Sequence, residues 1–220
     1  MDSQQNNSAI RQPINLEAIS NTDEAFTQAQ VAQASVRYIR SLSANLRQQI
    51  NIRKGIQNIY SCIKIDNIFV FTDYYNNQLI IYDADVTDAH YISLPIKPFY
   101  ITKVDSNTVA VSCTSKTILI INICTGSVTQ VQSKPAVAAM EYDENNLYVV
   151  NDNKIDVIDL TGKFKNTIPI PSLNIRDISV YKDTLICIDN KSIYYCSLDG
   201  TLKWQFNNDK FKDLRGVKQL

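Results

Sequence analysis

In 220 residues this sequence holds one histidine, one tryptophan, two methionines and only five glycines. Each scarcity removes a class of chemistry. Walker loops and dinucleotide-binding loops concentrate glycines within a few residues, and no such cluster occurs here, nor any G-x-S-x-G. Zinc modules of the RING type need closely spaced Cys and His pairs, yet there is no C-x-x-C and His90 stands alone. His90 follows Asp88-Ala89 and reads as a solvated loop residue rather than a catalytic base. About 18 apolar residues never run together, as a membrane-spanning helix requires. An excess of one charge is also missing. Lys plus Arg and Asp plus Glu are both 22, whereas a dedicated nucleic-acid binder usually shows a basic excess. The start, Met1-Asp2-Ser3-Gln4-Gln5-Asn6-Asn7, has no apolar core and so no secretory signal. Five cysteines in that setting read as reduced thiols of a cytoplasmic protein, packed in strands as small hydrophobes.

What is present is a repeat. Four hydrophobic runs have one form: Leu79-Ile80-Ile81-Tyr82-Asp83, Ile118-Leu119-Ile120-Ile121-Asn122, Ile155-Asp156-Val157-Ile158-Asp159 and Ile193-Tyr194-Tyr195-Cys196-Ser197. Between Tyr82, Ile121, Ile158 and Cys196 the steps are 39, 37 and 38 residues. A period near 40 with several short strands per unit marks the blade of a β-propeller. The expected strands of blade one are 60–65, 68–72, 79–83 and 91–94, and those of blade two 100–104, 109–113, 118–123 and 128–132. Blade three takes 138–142, 147–150, 155–160 and 167–170; blade four takes 178–181, 185–188, 193–198 and 202–206. Asp and Asn occupy the turns because they tolerate left-handed backbone. Thr125-Gly126, Thr161-Gly162 and Asp199-Gly200 mark hairpins between third and fourth strands. Prolines 95, 98, 135, 169 and 171 fall at blade junctions, where a missing donor does least harm. The run Lys212-Asp213-Leu214-Arg215-Gly216-Val217 reads as the start of a fifth blade.

The expected domain organisation is a disordered Gln-, Asn- and Ser-rich tail at 1–20, a helical segment and linker at 21–50, and the propeller at 51–220, an array read as incomplete. Asn21 with Glu24 has the form of a helix cap and its partner. Self-association through that helix is a further expectation, although fewer than three heptads are present. Either the stretch 50–56 closes a small ring, or the array is part of a longer one.

Asp73-Tyr74-Tyr75-Asn76-Asn77-Gln78-Leu79 resembles the D-x-x-N-N-x-I element of NHL repeats. Asn51-Ile52-Arg53-Lys54-Gly55-Ile56, Leu198-Asp199-Gly200-Thr201-Leu202-Lys203-Trp204 and Leu214-Arg215-Gly216-Val217 are similar to the C-terminal region of invertebrate tripartite-motif proteins. Those are RING–B-box–coiled-coil ubiquitin ligases with NHL-like propellers. The resemblance covers roughly residues 41–217. It implies a propeller that recognises substrate proteins or RNA, and it does not extend to the zinc-binding ligase end, which this chain lacks.

The expected function is therefore a non-catalytic protein-interaction module without cofactor, catalytic or metal-binding residues. The loops joining second to third strands share one rim, and the expected contact residues are Asp73, Tyr74, Tyr75, Asn76, Lys116, Asn153 and Lys191, with the two tyrosines as anchors. RNA binding is the alternative partner reading, with Tyr74, Tyr75 and Tyr100 as stacking platforms beside the Lys- and Arg-containing end. A metal-dependent propeller hydrolase is the enzyme alternative, drawing on Glu141, Asp143, Glu144, Asp152, Asp156 and Asp159 as oxygen ligands. A quinoprotein docking motif needs one Trp per blade, and the single Trp204 is read instead as core between blades.

Overall fold

The computed structural model describes residues 57–83, 89–132, 139–151, 154–210 and 212–217. The tail, the helical segment, the ring-closing stretch 50–56 and Asn153 lie outside them. The described residues form four antiparallel sheets of four strands each, and every sheet is built from consecutive chain. Blade one comprises β1 (Ile59–Ile65), β2 (Ile68–Asp73), β3 (Gln78–Asp83) and β4 (Ala89–Ser93). Blade two comprises β5 (Pro98–Lys103), β6 (Thr108–Cys113), β7 (Thr117–Asn122) and β8 (Val128–Gln132). Blade three holds β9 (Met140–Asp143), β10 (Asn146–Asn151), β11 (Lys154–Ile158) and β12 (Phe164–Pro169). Blade four holds β13 (Asp177–Tyr181), β14 (Thr184–Ile188), β15 (Ser192–Ser197) and β16 (Leu202–Asn207). This is a four-bladed β-propeller arrangement. The expected strands appear within two residues of their read positions, except that β12 starts three residues early, at Phe164.

Register makes the blades equivalent. Leu79, Ile118 and Ile155 are the second residues of their third strands and pair across the ladder with Ile92, Val131 and Ile168 of the fourth. All six are at most 6% exposed. Because side chains alternate across a strand, one face of each blade looks forward to the next blade and the other looks back. Three apolar clusters fill the three seams. The first joins Val70, Leu79 and Ile81 to Val109, Val111 and Leu119. The second joins Ala110, Ile118 and Val131 to Met140, Leu147 and Val149. The third joins Tyr148, Ile155 and Val157 to Ile178, Leu185 and Cys187. Burying one such side chain stabilises by about 1.5–3 kcal/mol, so the seams, not the ladders, hold blade to blade.

The hairpin glycines do what the sequence requires of them. Gly200 has φ +85°, and a Cβ there would stand 2.4 Å from the Pro169 ring of the preceding blade. Gly162 (φ +85°) repeats the device against Val131.

Two expectations change. Trp204, read as core between blades, is 52% exposed. It lies on the outermost strand of blade four, paired opposite Tyr195 on the forward face. Among the described residues no apolar cluster joins that face to blade one. The expected start of a fifth blade is not a strand: residues 212–217 form no ladder. The Leu214 N–H donates to the Asn190 carbonyl at 3.3 Å and the Val217 N–H to the Asp177 carboxylate at 3.0 Å. With these two amides given to blade four, the segment lies against that blade rather than founding a sheet.

Candidate binding face at the rim and central cavity

The first strands of the four blades, β1, β5, β9 and β13, line a central cavity of about 770 Å³. Its wall carries the cations Lys64, Lys103, Arg176 and Arg215, the carboxylates Glu141 and Asp177, and Tyr60 and Tyr100. Glu141 is buried on that wall. Burial, and then the Asp177 carboxylate, push the Tyr100 phenol above its usual range. It therefore stays protonated at neutral pH and keeps a hydrogen to donate.

Local backbone irregularity places the aromatic groups beside this cavity. In β1 the register shifts between Ile59 and Cys62, and in β5 between Pro98 and Ile101. Each bulge strands an amide that a hydroxyl on the second strand receives. The Ser61 N–H donates to Thr72 Oγ1 and the Tyr100 N–H to Ser112 Oγ, both at 3.0 Å. The Thr72 hydroxyl in turn donates to the Phe99 carbonyl at 2.7 Å, tying blade one to blade two. A bulge re-aims its side chains, and here it leaves Tyr60 and Phe99 on the rim. Their ring centroids are 5.0 Å apart, edge to face. Tyr74 packs on both, at 5.3 Å from each ring, and Tyr75 meets Tyr74 at 5.9 Å. Lys97 Nζ sits 4.9 Å over the Tyr74 ring, a cation–π contact. Tyr60 is 46% and Tyr75 57% exposed.

Of the expected site residues, some join this patch, some hold the turn beneath it, and others stand on loops of their own. Tyr74 and Tyr75 are in the patch. Asp73 is fully buried and does not face solvent. Its carboxylate accepts from the Asn58 and Asn76 amides and, at 2.7 and 3.0 Å, from the Asn76 and Gln78 side chains. Burial alone would raise that carboxyl, but these donors hold it below the ordinary range. Asn76 is thus spent mainly on the turn. Asp189 plays the same part in blade four, accepting from the Lys191 and Ser192 amides and from the Ser172 and Tyr194 hydroxyls. Lys116 and Lys191 are exposed on their own loops, and Lys191 lies 3.6 Å from Asp209. Tyr60, Lys97 and Phe99 were not legible as site residues, since no sequence pattern announces a bulge at a strand's first residues.

Two of the acids considered as cation ligands have other tasks, and Asp152 lies outside the described residues. Asp156 accepts from Asn151 and Thr167 and pairs with Lys154 at 3.2 Å. Asp159 caps the hairpin after β11 through the Thr161 and Lys163 amides, at 2.8 and 3.0 Å.

No family model and no curated protein matches the sequence. Among solved structures the chain is similar to the computationally designed Ika4 protein. There the TM-score is 0.54 and the identity 15%, over 74% of this chain and 99% of that one. It is also similar to U3-55K, with TM-score 0.59 and 11% identity over 70% of this chain and 53% of that one. At such identities the likeness is one of fold. The tripartite-motif resemblance rests on its motif residues alone.

Proposed function

We propose that this chain is a non-catalytic recognition module that binds a protein partner on the rim formed by Tyr60, Tyr74, Tyr75 and Lys97. The observation that carries the reading is the aromatic cluster itself. Four rings and a lysine are gathered where blades one and two meet, with two of the tyrosines about half exposed. Tyrosine supplies large contact area at small entropic cost and dominates interface hot spots. The turn that resembles an NHL element is the turn that holds Tyr74 and Tyr75. On that resemblance the partner is a protein presented to a ligase, met in the cytoplasm, and the chemistry of conjugation belongs elsewhere.

The test is quantitative capture of partners on the immobilised chain, compared with Tyr74→Ala/Tyr75→Ala and with Phe164→Ala, an exposed residue of another blade. Loss of specific partners with the tyrosine pair alone supports the rim. An unchanged partner profile for all three proteins overturns it. Single-stranded RNA is the second reading, favoured by Arg176, Arg215, Lys64 and Lys103 lining the cavity with Tyr60 and Tyr100. It predicts a mobility shift that weakens steeply with salt.

A further inference from the structure

We infer that two copies of this chain associate head to tail, the forward face of blade four in one copy packing on the backward face of blade one in the other. The inference concerns faces other than the rim and stands independently of the function proposed above.

The forward face of blade four is a blade-docking surface by register. Ile193 takes the position of Leu79, Ile118 and Ile155, each 0% exposed in its own seam. Tyr195 takes that of Ile81, Ile120 and Val157, which are buried or packed against a seam. Yet Tyr195 is 38% exposed, its ladder neighbour Trp204 is 52% exposed, and Ile186 and Ile193 are only half-buried. A soluble surface that exposes such a contiguous apolar face is normally an interaction site.

The matching surface is on the same polypeptide. Phe69 and Phe71, stacked at 6.4 Å, look backward from blade one. Their register equivalents Val109 and Val111 of blade two, and Leu185 and Cys187 of blade four, are fully buried against the preceding blade. Phe69 and Phe71 are only half-buried, and Cys62, opposite Phe71 in the ladder, is exposed. Among the described residues, then, one forward and one backward docking face lack a seam partner, and a second copy offers the complement of each.

Size favours this occupant. Four strands spaced about 4.8 Å and about 20 Å long present roughly 400 Å² of face. A twofold pair makes two seams and covers four faces, roughly 1,600 Å² in all, the size of a specific interface.

Trp204 is the only tryptophan, so its fluorescence reports the seam directly. On concentrating the full chain, sedimentation should show the mass of two chains, and Trp204 emission should shift to the blue with reduced acrylamide quenching. Tyr195→Lys/Trp204→Lys changes two exposed side chains and should sediment as one chain with an unaltered circular dichroism spectrum. Cys62→Arg, on the opposite open face, should also be monomeric. Mixing these two variants leaves one intact seam and should restore a two-chain mass. A single-chain mass for the wild type at its highest soluble concentration overturns the proposal, whether its own polypeptide or nothing covers the face. So does a Cys62→Arg protein that dimerises as the wild type does, because blade four would then be pairing with itself.

Discussion

The main-chain N–H of Val217 donates to the carboxylate of Asp177, 40 residues earlier, at 3.0 Å. That contact holds the segment 212–217 on blade four and puts Gly216 and Val217 on the cavity wall. A hydrogen bond to a charged group contributes about 1.5–3 kcal/mol. Asp177→Ala should therefore speed tryptic cleavage after Lys212 and Arg215 and lower the melting temperature by several degrees. Asp177→Asn, which still accepts, should retain most of the protection. Equal protease resistance in all three proteins would sink the idea.

Acid sensitivity should trace to the turn carboxylates. For Asp73 and Asp189 burial pulls upward, but donors from Asn76 and Gln78 in one case, and from Lys191 and Tyr194 in the other, leave each carboxyl below its ordinary value. A group ionised more readily when folded than when unfolded stabilises the fold above the unfolded value of about 4. That stability is lost as pH falls through the lower folded value. Denaturant midpoints for wild type should hold from neutral pH to about 5 and drop below 4. Asp73→Asn and Asp189→Asn should be less stable at neutral pH, with a shallower fall.

Gly200 and Gly126 both have positive φ, +85° and +72°, but only Gly200 is pressed on a neighbour. Gly126→Ala should cost about 1 kcal/mol, the penalty of left-handed backbone. Gly200→Ala adds a collision with Pro169 and should cost more than Gly126→Ala, so its melting temperature should fall further. Equal shifts in thermal melts would mean that the contact between blades three and four yields freely.

Thiol labelling should divide the five cysteines. Cys62 and Cys124 are exposed, whereas Cys113, Cys187 and Cys196 are buried. Burial pushes the Cys113 thiol up to about 12, and it raises Cys187 further and Cys196 in the same direction. The thiolate is the reactive form, so two cysteines should label in the native protein and the other three only on unfolding. Partial burial also raises Cys62, which should slow its labelling. Rapid native modification of Cys187 would contradict the packing of the seam between blades three and four.

Much of the fold was legible because it is written four times over. The pairs Leu79 with Ile92, Ile118 with Val131 and Ile155 with Ile168 follow from period and alternation alone. Trp204 misled because size suggests burial, while what covers a side chain depends on whether a blade follows. The rim was half legible. Tyr74 and Tyr75 stood out in the turn, but Asp73 beside them serves the turn's own amides. Tyr60 and Phe99 reach the patch where bulges break the strand period, and alternation cannot foresee its own interruption.

Each ladder closes within its own sheet, so among the described residues no β-sheet backbone pairing crosses from one blade to the next. Cohesion therefore passes through nearest neighbours only, as in a short row of coupled units. Among the described residues the two middle blades are gripped from both sides, and blades one and four from a single side. Amide exchange should accordingly be slowest in β6, β7, β10 and β11 and quicken toward either end of the row. Anything that docked on an end blade would slow its exchange and lend it the endurance of the interior.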